Sequence, residues 1–567
     1  MNMHPKLKVF NSLLFIFFFL SYSPLWSQSD PSGERRVTGT YAIKNATVTT
    51  APGKTISGAT ILIKNGLIEA VGTNIRIPIE AQIIEGDSLF IYPGFIDGAS
   101  SSGVSKPADP ERPSNFDPSN PPDENAGITP WRNVLDNFDF KNSQVSDWRK
   151  SGFTIAQIVP DGGMLPGKSA IVVLGGNAST NILAQNTAVN AKFRGAGGGR
   201  GSYPGTQLGI MAKFRDLYKN AEYSAQHQRL FASNSGLNRP EVNKTLQAFY
   251  PVIDKSIPIL FEVSNDLEIR RALSLQKENG FRLVLVGVTE ADMVINEIKS
   301  ANAQVLLSMK LPDDKITKAK TEELSEEMQA RTKRAKEAYE NSLKQAGLLE
   351  KAGIPFGFTS MGGKSTDLTK NLKLMVENGL SENGALAALT TLPANILGIQ
   401  KFAGTIEKGK LANMVIFTAP MLSDGAQIKH VVADGYIFDY EAKPKKVANG
   451  NSENGAVNIN GEWEYTSDTP AGSSGGIMTI KKEGDSYKGN ITYDNPAGNG
   501  TANSEMKNIS VSGNYLTFSF DVAAGGMSLE VTVSGDIDGN QFSGNMSLAD
   551  FGSFPLNATK KPNQSTR

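Results

Sequence analysis

Three histidines, His4, His227 and His430, are the only imidazoles in this 567-residue chain, and it has no cysteine. A transition-metal hydrolase that grips its ion through imidazole needs several histidines converging on one point. Here His4 lies in an N-terminal leader, leaving two for the mature protein. The absence of cysteine removes disulfides, thiolate metal sites, a thiol nucleophile and a lipidated cysteine anchor. What remains for chemistry is carboxylate and hydroxyl. Glu262, in Phe261-Glu262-Val263-Ser264-Asn265-Asp266, could ligate a hard cation with help from Asp97, Asp266 or Glu290. Oxygen donors of that kind suit magnesium, calcium or manganese better than zinc. The plainer reading of Glu262 is a carboxylate paired with a nearby lysine or arginine. Ser101 or Ser360 as nucleophile would need a base. His227 sits in a polar helical stretch, Ala225-Gln226-His227-Gln228-Arg229, and His430 in a β-rich segment, so both read as structural or exposed. The glycine run 195–201 lacks a following Gly-Lys-Ser/Thr and an obvious preceding strand, and reads as a loop rather than a phosphate cradle.

Elements that would position these groups alternate along the chain. Tyr41–Val48 and Ala59–Lys64 read as strands, and Asn65-Gly66 is a strong hairpin signal before Leu67–Gly72. Leu89-Phe90-Ile91-Tyr92 is another strand; Pro93-Gly94 breaks it and Phe95-Ile96 starts the next. Strand and helix patterns then alternate: strands near Ile257–Met309 flank helices over 267–279 and 290–300, and Gly353–Thr359 is the last strand of the series. Residues 313–352 carry charge at helical spacing and read as a solvated helix. Ser381 is a good helix N-cap. The Pro-, Asp-, Ser- and Asn-rich stretch 103–127 reads as a long surface excursion near the barrel mouth. After a polar linker at 443–454, short strands separated by Gly, Asn and Asp fill 455–567, an all-β pattern.

Pro93-Gly94-Phe95-Ile96-Asp97 resembles the opening of barrel strand one in the amidohydrolase superfamily. Ile158-Val159-Pro160-Asp161-Gly162-Gly163 and Gly167-Lys168-Ser169-Ala170 are similar to its imidazolonepropionase-like group. The resemblance implies an α/β fold: a (β/α)8 TIM-like barrel over 93–400, a composite β-sandwich from both flanks (28–92 and 401–442), and a separate all-β C-terminal domain at 455–567. That domain, with its Gly461-Glu462-Trp463 start and Gly552-Ser553-Phe554 end, looks like the β-barrel appendages of exported relatives, lipocalin-like or a sandwich. The resemblance also implies where metal ligands would fall. The strand-one pair lands on Ala99 and Ser101. The strand-five histidine lands on Glu262, with Ser264 two residues on, and the strand-six histidine on Gly287. The strand-eight aspartate lands on Ser360, or on Met361 one residue later. Asn413 stands where the family usually has Asp after Lys-Leu-Ala. The member expected is therefore a degenerate one lacking the metal-binding histidines.

Lys6 and Lys8, the mostly apolar run Val9–Leu20 and Ser27 form a secretory signal over 1–27, with cleavage near Ser27 and a periplasmic or extracellular destination. The 57 basic and 57 acidic residues balance and give no footprint for nucleic acid. No membrane span follows the leader. The function expected is that of an exported, metal-free pseudo-enzyme that binds a small-molecule ligand or acts as a partner subunit, as a homo-oligomer or with an active amidohydrolase relative. The alternative is hydrolysis of C–N bonds through a remodelled site at Glu262, with a divalent hard cation. A third reading makes the C-terminal β-domain a ligand-binding module on an inert barrel.

Overall fold

A computed structural model describes residues 34–36, 39–176, 181–196, 202–234, 236–313, 325–423, 425–433, 435–440, 458–469, 472–484, 486–494, 500–512, 515–524, 527–548 and 552–561. The signal segment 1–27, the linker 443–454 and residues 197–201 of the glycine run lie outside them. The chain divides into two compact units, one ending at Pro444 and one beginning at Lys445.

In the first unit, both flanks of the chain join in one nine-stranded sheet, which gives the composite flank domain its physical basis. Strand Met414–Phe417 runs antiparallel to Phe90–Pro93, pairing Met414 with Pro93 and Phe417 with Phe90. Ile43, Val48, Ile61, Ile91, Met414 and Val432 fill its core. At the Asn65-Gly66 turn both residues have positive φ, 50° and 78°, the backbone that a two-residue hairpin demands. Gly66→Ala is expected to cost about 1 kcal/mol through that left-handed backbone, read as a small drop in the urea midpoint at constant slope.

Eight strands form the barrel: β1 (Phe95–Ser100), β2 (Phe153–Ile158), β3 (Gly167–Val173), β4 (Ile182–Lys192), β5 (Ile259–Glu262), β6 (Leu283–Val288), β7 (Gln304–Ser308) and β8 (Phe356–Thr359). They lie in sequence order in one sheet. The TIM-like expectation is met with one departure: β3 runs antiparallel to both β2 and β4. The connection 159–166 explains the first reversal, because a parallel crossover needs a dozen or more residues. Helices Gln207–Ser233, Asp266–Asn279, Ile295–Ser300 and Glu326–Ala352 supply crossovers further on. Helix Asp266–Asn279 starts on the Asn265 cap and stops at left-handed Gly280. The pattern over 290–300 yields a shorter helix, since a 3-10 turn at Asp292–Val294 precedes it. Ser381 caps Glu382–Leu389 through Gly384 N.

Pro93-Gly94 is the hinge between sheet and barrel. Gly94 N donates to the Asn413 carbonyl at 2.9 Å, and a Cβ on Gly94 would lie 2.3 Å from Thr154 Oγ1. Only glycine lets the chain pass there. The excursion 103–127 is tied down: Tyr203 N donates to the Pro118 carbonyl at 2.8 Å, Thr245 Oγ1 to Asp123 at 2.6 Å, and Lys244 to Glu124 at 2.9 Å. A strand does precede the glycine run, contrary to the sequence reading: β4 ends at Lys192. Its mixture of Asn, Gln, Thr and Ala hid it.

The second unit is a closed barrel of eight antiparallel strands between Gly461 and Lys560. Closure pairs Trp463 with Lys560 and Ser467 with Leu556, so no edge is left unpaired. This settles barrel against sandwich. Its interior is filled by Trp463, Ile480, Phe518, Phe520, Val533 and Phe542, among others. Among the described residues, no helix of the chain is long and apolar enough to cross a membrane.

Candidate functional site

The mouth of a parallel barrel, at the C-terminal ends of its strands, is where such folds place their chemistry. Side chains alternate along a strand, so one face of each strand lines the interior. That interior holds Ala99, Ala188, Leu260, Val284, Val286 and Leu306, with Val159, Ile396 and Met361 above and beside them. Ala99 is fully buried in this cluster. The space left at the mouth, lined by Leu260, Glu262, Val286, Lys192, Asn190 and Met361 among others, is about 20 Å3, room for about one water molecule.

The seam between β8 and β1 is stitched by side chains. Thr359 Oγ1 donates to the Ala99 carbonyl at 2.5 Å, and the Ser100 and Ser360 hydroxyls meet at 2.9 Å. Asp97 accepts from Ser360 N at 3.0 Å and Ala99 N at 3.2 Å. Burial pushes the Asp97 carboxyl up to about 7, against the lowering effect of its hydrogen bonds to Ser360, Ala99 and Ser100. Gly98 permits the close approach: a Cβ there would lie 2.2 Å from Leu306 Cδ2 and 3.0 Å from the Phe358 carbonyl.

Glu262 reaches the mouth, where Lys192 Nζ lies 3.7 Å from its Oε2 and 3.3 Å from Asp161 Oδ1. Lys192 is largely buried and anchors both carboxylates. Lys192 and Asp161 were not singled out from sequence. The signal was present in the period of two along β4, because Ala188 faces the interior and positions 190 and 192 follow it. Asn190 donates to Ser169 Oγ at 2.8 Å, completing a polar rim above the apolar plug.

The carboxylates grouped from sequence do not meet. Asp97 is committed to the seam and Glu262 to Lys192. Asp266 and Glu290 line a different recess, beside Asp292. Asp266 opens helix Asp266–Asn279, whose axis carries it away from the mouth, and Glu290 follows the outward turn after β6. Ser101 is exposed and its carbonyl accepts from Val104 N. Ser264 is exposed and donates, through N and Oγ, to Glu268 Oε2 at 3.0 Å. Gly287 has φ 78° with no side chain to offer. Ser360 turns to the seam and Met361 to the plug. His430 Nδ1 lies 2.8 Å from Asp439 Oδ1 on adjacent strands of the nine-stranded sheet, and His227 lies on helix Gln207–Ser233. The residues at the mouth therefore do not fit a divalent metal: two carboxylates, Glu262 and Asp161, both already paired with the Lys192 ammonium, and alanine, glycine and serine elsewhere. Among the described residues, no group of three histidines or acids could hold one.

Fold and site together define an eight-stranded α/β barrel with a nine-stranded flank sheet and an apolar plug at its mouth. Residues 286–438 match the amidohydrolase family. An amidohydrolase from Thermotoga maritima MSB8 superposes with a TM-score of 0.57 at 21% identity, over 71% of this chain and 100% of that one. A β-aspartyl dipeptidase from Fervidobacterium islandicum AW-1 has a TM-score of 0.41 at 12% identity, over 72% of this chain and 100% of that one. The first of these likenesses stands at the level of fold. No curated protein sequence matches the chain.

Proposed function

We propose that this chain is an exported, metal-free pseudo-enzyme of the amidohydrolase fold, acting as a ligand-binding or partner subunit rather than as a hydrolase. The observation that carries the reading is the filled mouth: apolar side chains from five strands leave about 20 Å3. An amide substrate and an activated water cannot share that volume. The ion pair of Glu262 with Lys192 supports the same reading, since it turns the carboxylate toward an ammonium rather than toward a substrate or a water. Hydrolysis of C–N bonds through Glu262 would require both the plug and that pair to open.

The test is metal analysis of the purified full chain alongside hydrolysis of a panel of dipeptides and cyclic amides. The expected result is substoichiometric zinc, iron and manganese, with no turnover above buffer. Stoichiometric tightly held metal with turnover would overturn the reading. If turnover appears and Glu262→Ala abolishes it, the remodelled-site hydrolase takes its place. Association is read separately, by sedimentation of the chain alone and mixed with an active amidohydrolase relative. Export is read by N-terminal sequencing of the secreted protein, with the first residue expected at Gln28.

A further inference from the structure

Across the barrel wall from the plugged mouth lies a second recess. Leu306 packs inside the barrel, whereas its neighbour Leu307 faces outward and lines a groove of about 870 Å3. The groove is bounded by the C-terminal ends of β6 and β7 and by the middle of helix Glu326–Ala352. Its size falls in the range of small-molecule sites. Leu307, Leu311, Met293 and Met375 give it apolar surface, and Tyr339 borders it.

The polar groups are organised by that helix. Gln345 is buried, and its Oε1 accepts from Ala291 N at 2.7 Å while its Nε2 donates to Asp292 Oδ1 at 3.0 Å. Asn341 Nδ2 donates to Asp292 Oδ2 at 3.3 Å. Both oxygens of Asp292 are thus held in place by side chains that lock the turn after β6 to the helix. Glu290 stands beside it on the exposed rim of the groove. Burial raises the Glu290 pKa, and the charges of Asp266 and Asp292 raise it further, against a lowering backbone hydrogen bond from Asp266. Arg270 lies 3.9 Å from Asp266 and is also paired with Glu297. Among the described residues, no lysine or arginine comes within ion-pair distance of Glu290 or Asp292; Lys310 lines the groove without pairing with either. A partly apolar groove whose described lining sets Asp266, Glu290 and Asp292 against the single ammonium of Lys310 carries an excess of negative charge and is complementary to a positive guest, and an aromatic border adds to that attraction.

We propose that this groove binds a small organic cation, an amine or guanidine carrying an apolar body. The inference goes beyond the non-hydrolytic reading of the barrel mouth. It stands on the other side of the wall, whether or not the mouth turns anything over.

Three probes of matched shape test it by calorimetric titration of the full chain: phenethylamine, phenethyl alcohol and phenylacetate. The amine is expected to bind saturably, the alcohol about tenfold more weakly, and the acid not at all. Glu290→Gln should weaken the amine by about tenfold, as expected for loss of about 1.4 kcal/mol of charge interaction, and leave the alcohol unchanged. Ala335→Trp should block both by filling the groove. Thermal melts identify any variant that does not fold, and Asp292→Asn, which keeps a hydrogen-bonding amide against Gln345 and Asn341, replaces Glu290→Gln in that event. Equal binding of amine and acid, absence of saturable amine binding, or amine affinity unchanged in a folded carboxylate variant would overturn the proposal. None of these readouts depends on turnover, so they are separate from the outcome of the metal and hydrolysis assays.

Discussion

Asp97→Asn is expected to make the first unit more stable at pH 8 and to remove most of the pH dependence of its stability between about pH 4 and 7. The carboxyl is fully buried and titrates near 7 in the folded chain, against 3.8 in the ordinary range. Folding therefore favours the protonated form. The stabilisation by that form is complete below about pH 4, declines as pH rises, and is lost above the folded value near 7. A shift of that size corresponds to about 4 kcal/mol across the window. Asparagine keeps an oxygen to accept from Ser360 N and Ala99 N, and its amide can donate to the Ser100 or Ser360 hydroxyl. It carries no charge to desolvate. Urea midpoints of the two proteins should diverge from pH 4.5 to about 7 and hold a constant gap from there to 8.5, with the variant ahead at the alkaline end. Parallel profiles would show that Asp97 is not the group responsible. Carboxylates held low by ion pairs act with the opposite sign and in a lower window: Glu278, held near 2 chiefly by its hydrogen bond from Arg215, loses its contribution only as pH falls well below 4.

Trp463→Ala is expected to destabilise the C-terminal barrel by about 3–5 kcal/mol, the usual cost of deleting a large buried aromatic. The indole is 1% exposed and its Nε1 donates to the Ile459 carbonyl at 3.0 Å. It sits on the strand Gly461–Thr469, which closes the barrel against Gly552–Lys560. Strands hydrogen-bonded on both sides cannot move in to fill the void, so the cavity persists. For a unit of this size the loss is a large share of a total stability of about 5–15 kcal/mol. Calorimetry of the full chain should show one transition lowered by more than about 10 °C and the other unmoved, because each unit closes its own core. Trp463→Phe should recover much of the loss. A single transition shifting as a whole would mean the two units unfold together.

The chain's architecture was written in patterns of short range. Pro93-Gly94-Phe95-Ile96-Asp97 is a hinge whose residue types follow from local sterics at Thr154 and the Asn413 carbonyl, so it could be read directly. The Asn65-Gly66 hairpin and the Ser381 cap are likewise settled within a few residues. β4 escaped because its polar residues obscure the strand period, and with it went Lys192, the residue that holds Glu262. The reversal of β3 was implicit in the short connection 159–166 but not drawn from it. Grouping Asp97, Glu262, Asp266 and Glu290 failed for a different reason: nearness of acids to strand ends does not say which side of the barrel wall each one faces.

By itself, the sequence determined that the chain holds three imidazoles and no thiol, since residue counts do not depend on folding. The alternation of strand and helix patterns and the separate all-β unit were also legible, because hydrophobic period and turn residues act locally, whereas the two-flank sheet was implied only by the resemblance. Only the tertiary structure decided that the mouth is plugged by Leu260, Val286, Leu306 and Met361, that Asp97 serves the seam, and that the remaining acids face a groove on the outer wall. Those outcomes depend on which side chains from distant strands converge, and convergence is a property of the assembled barrel.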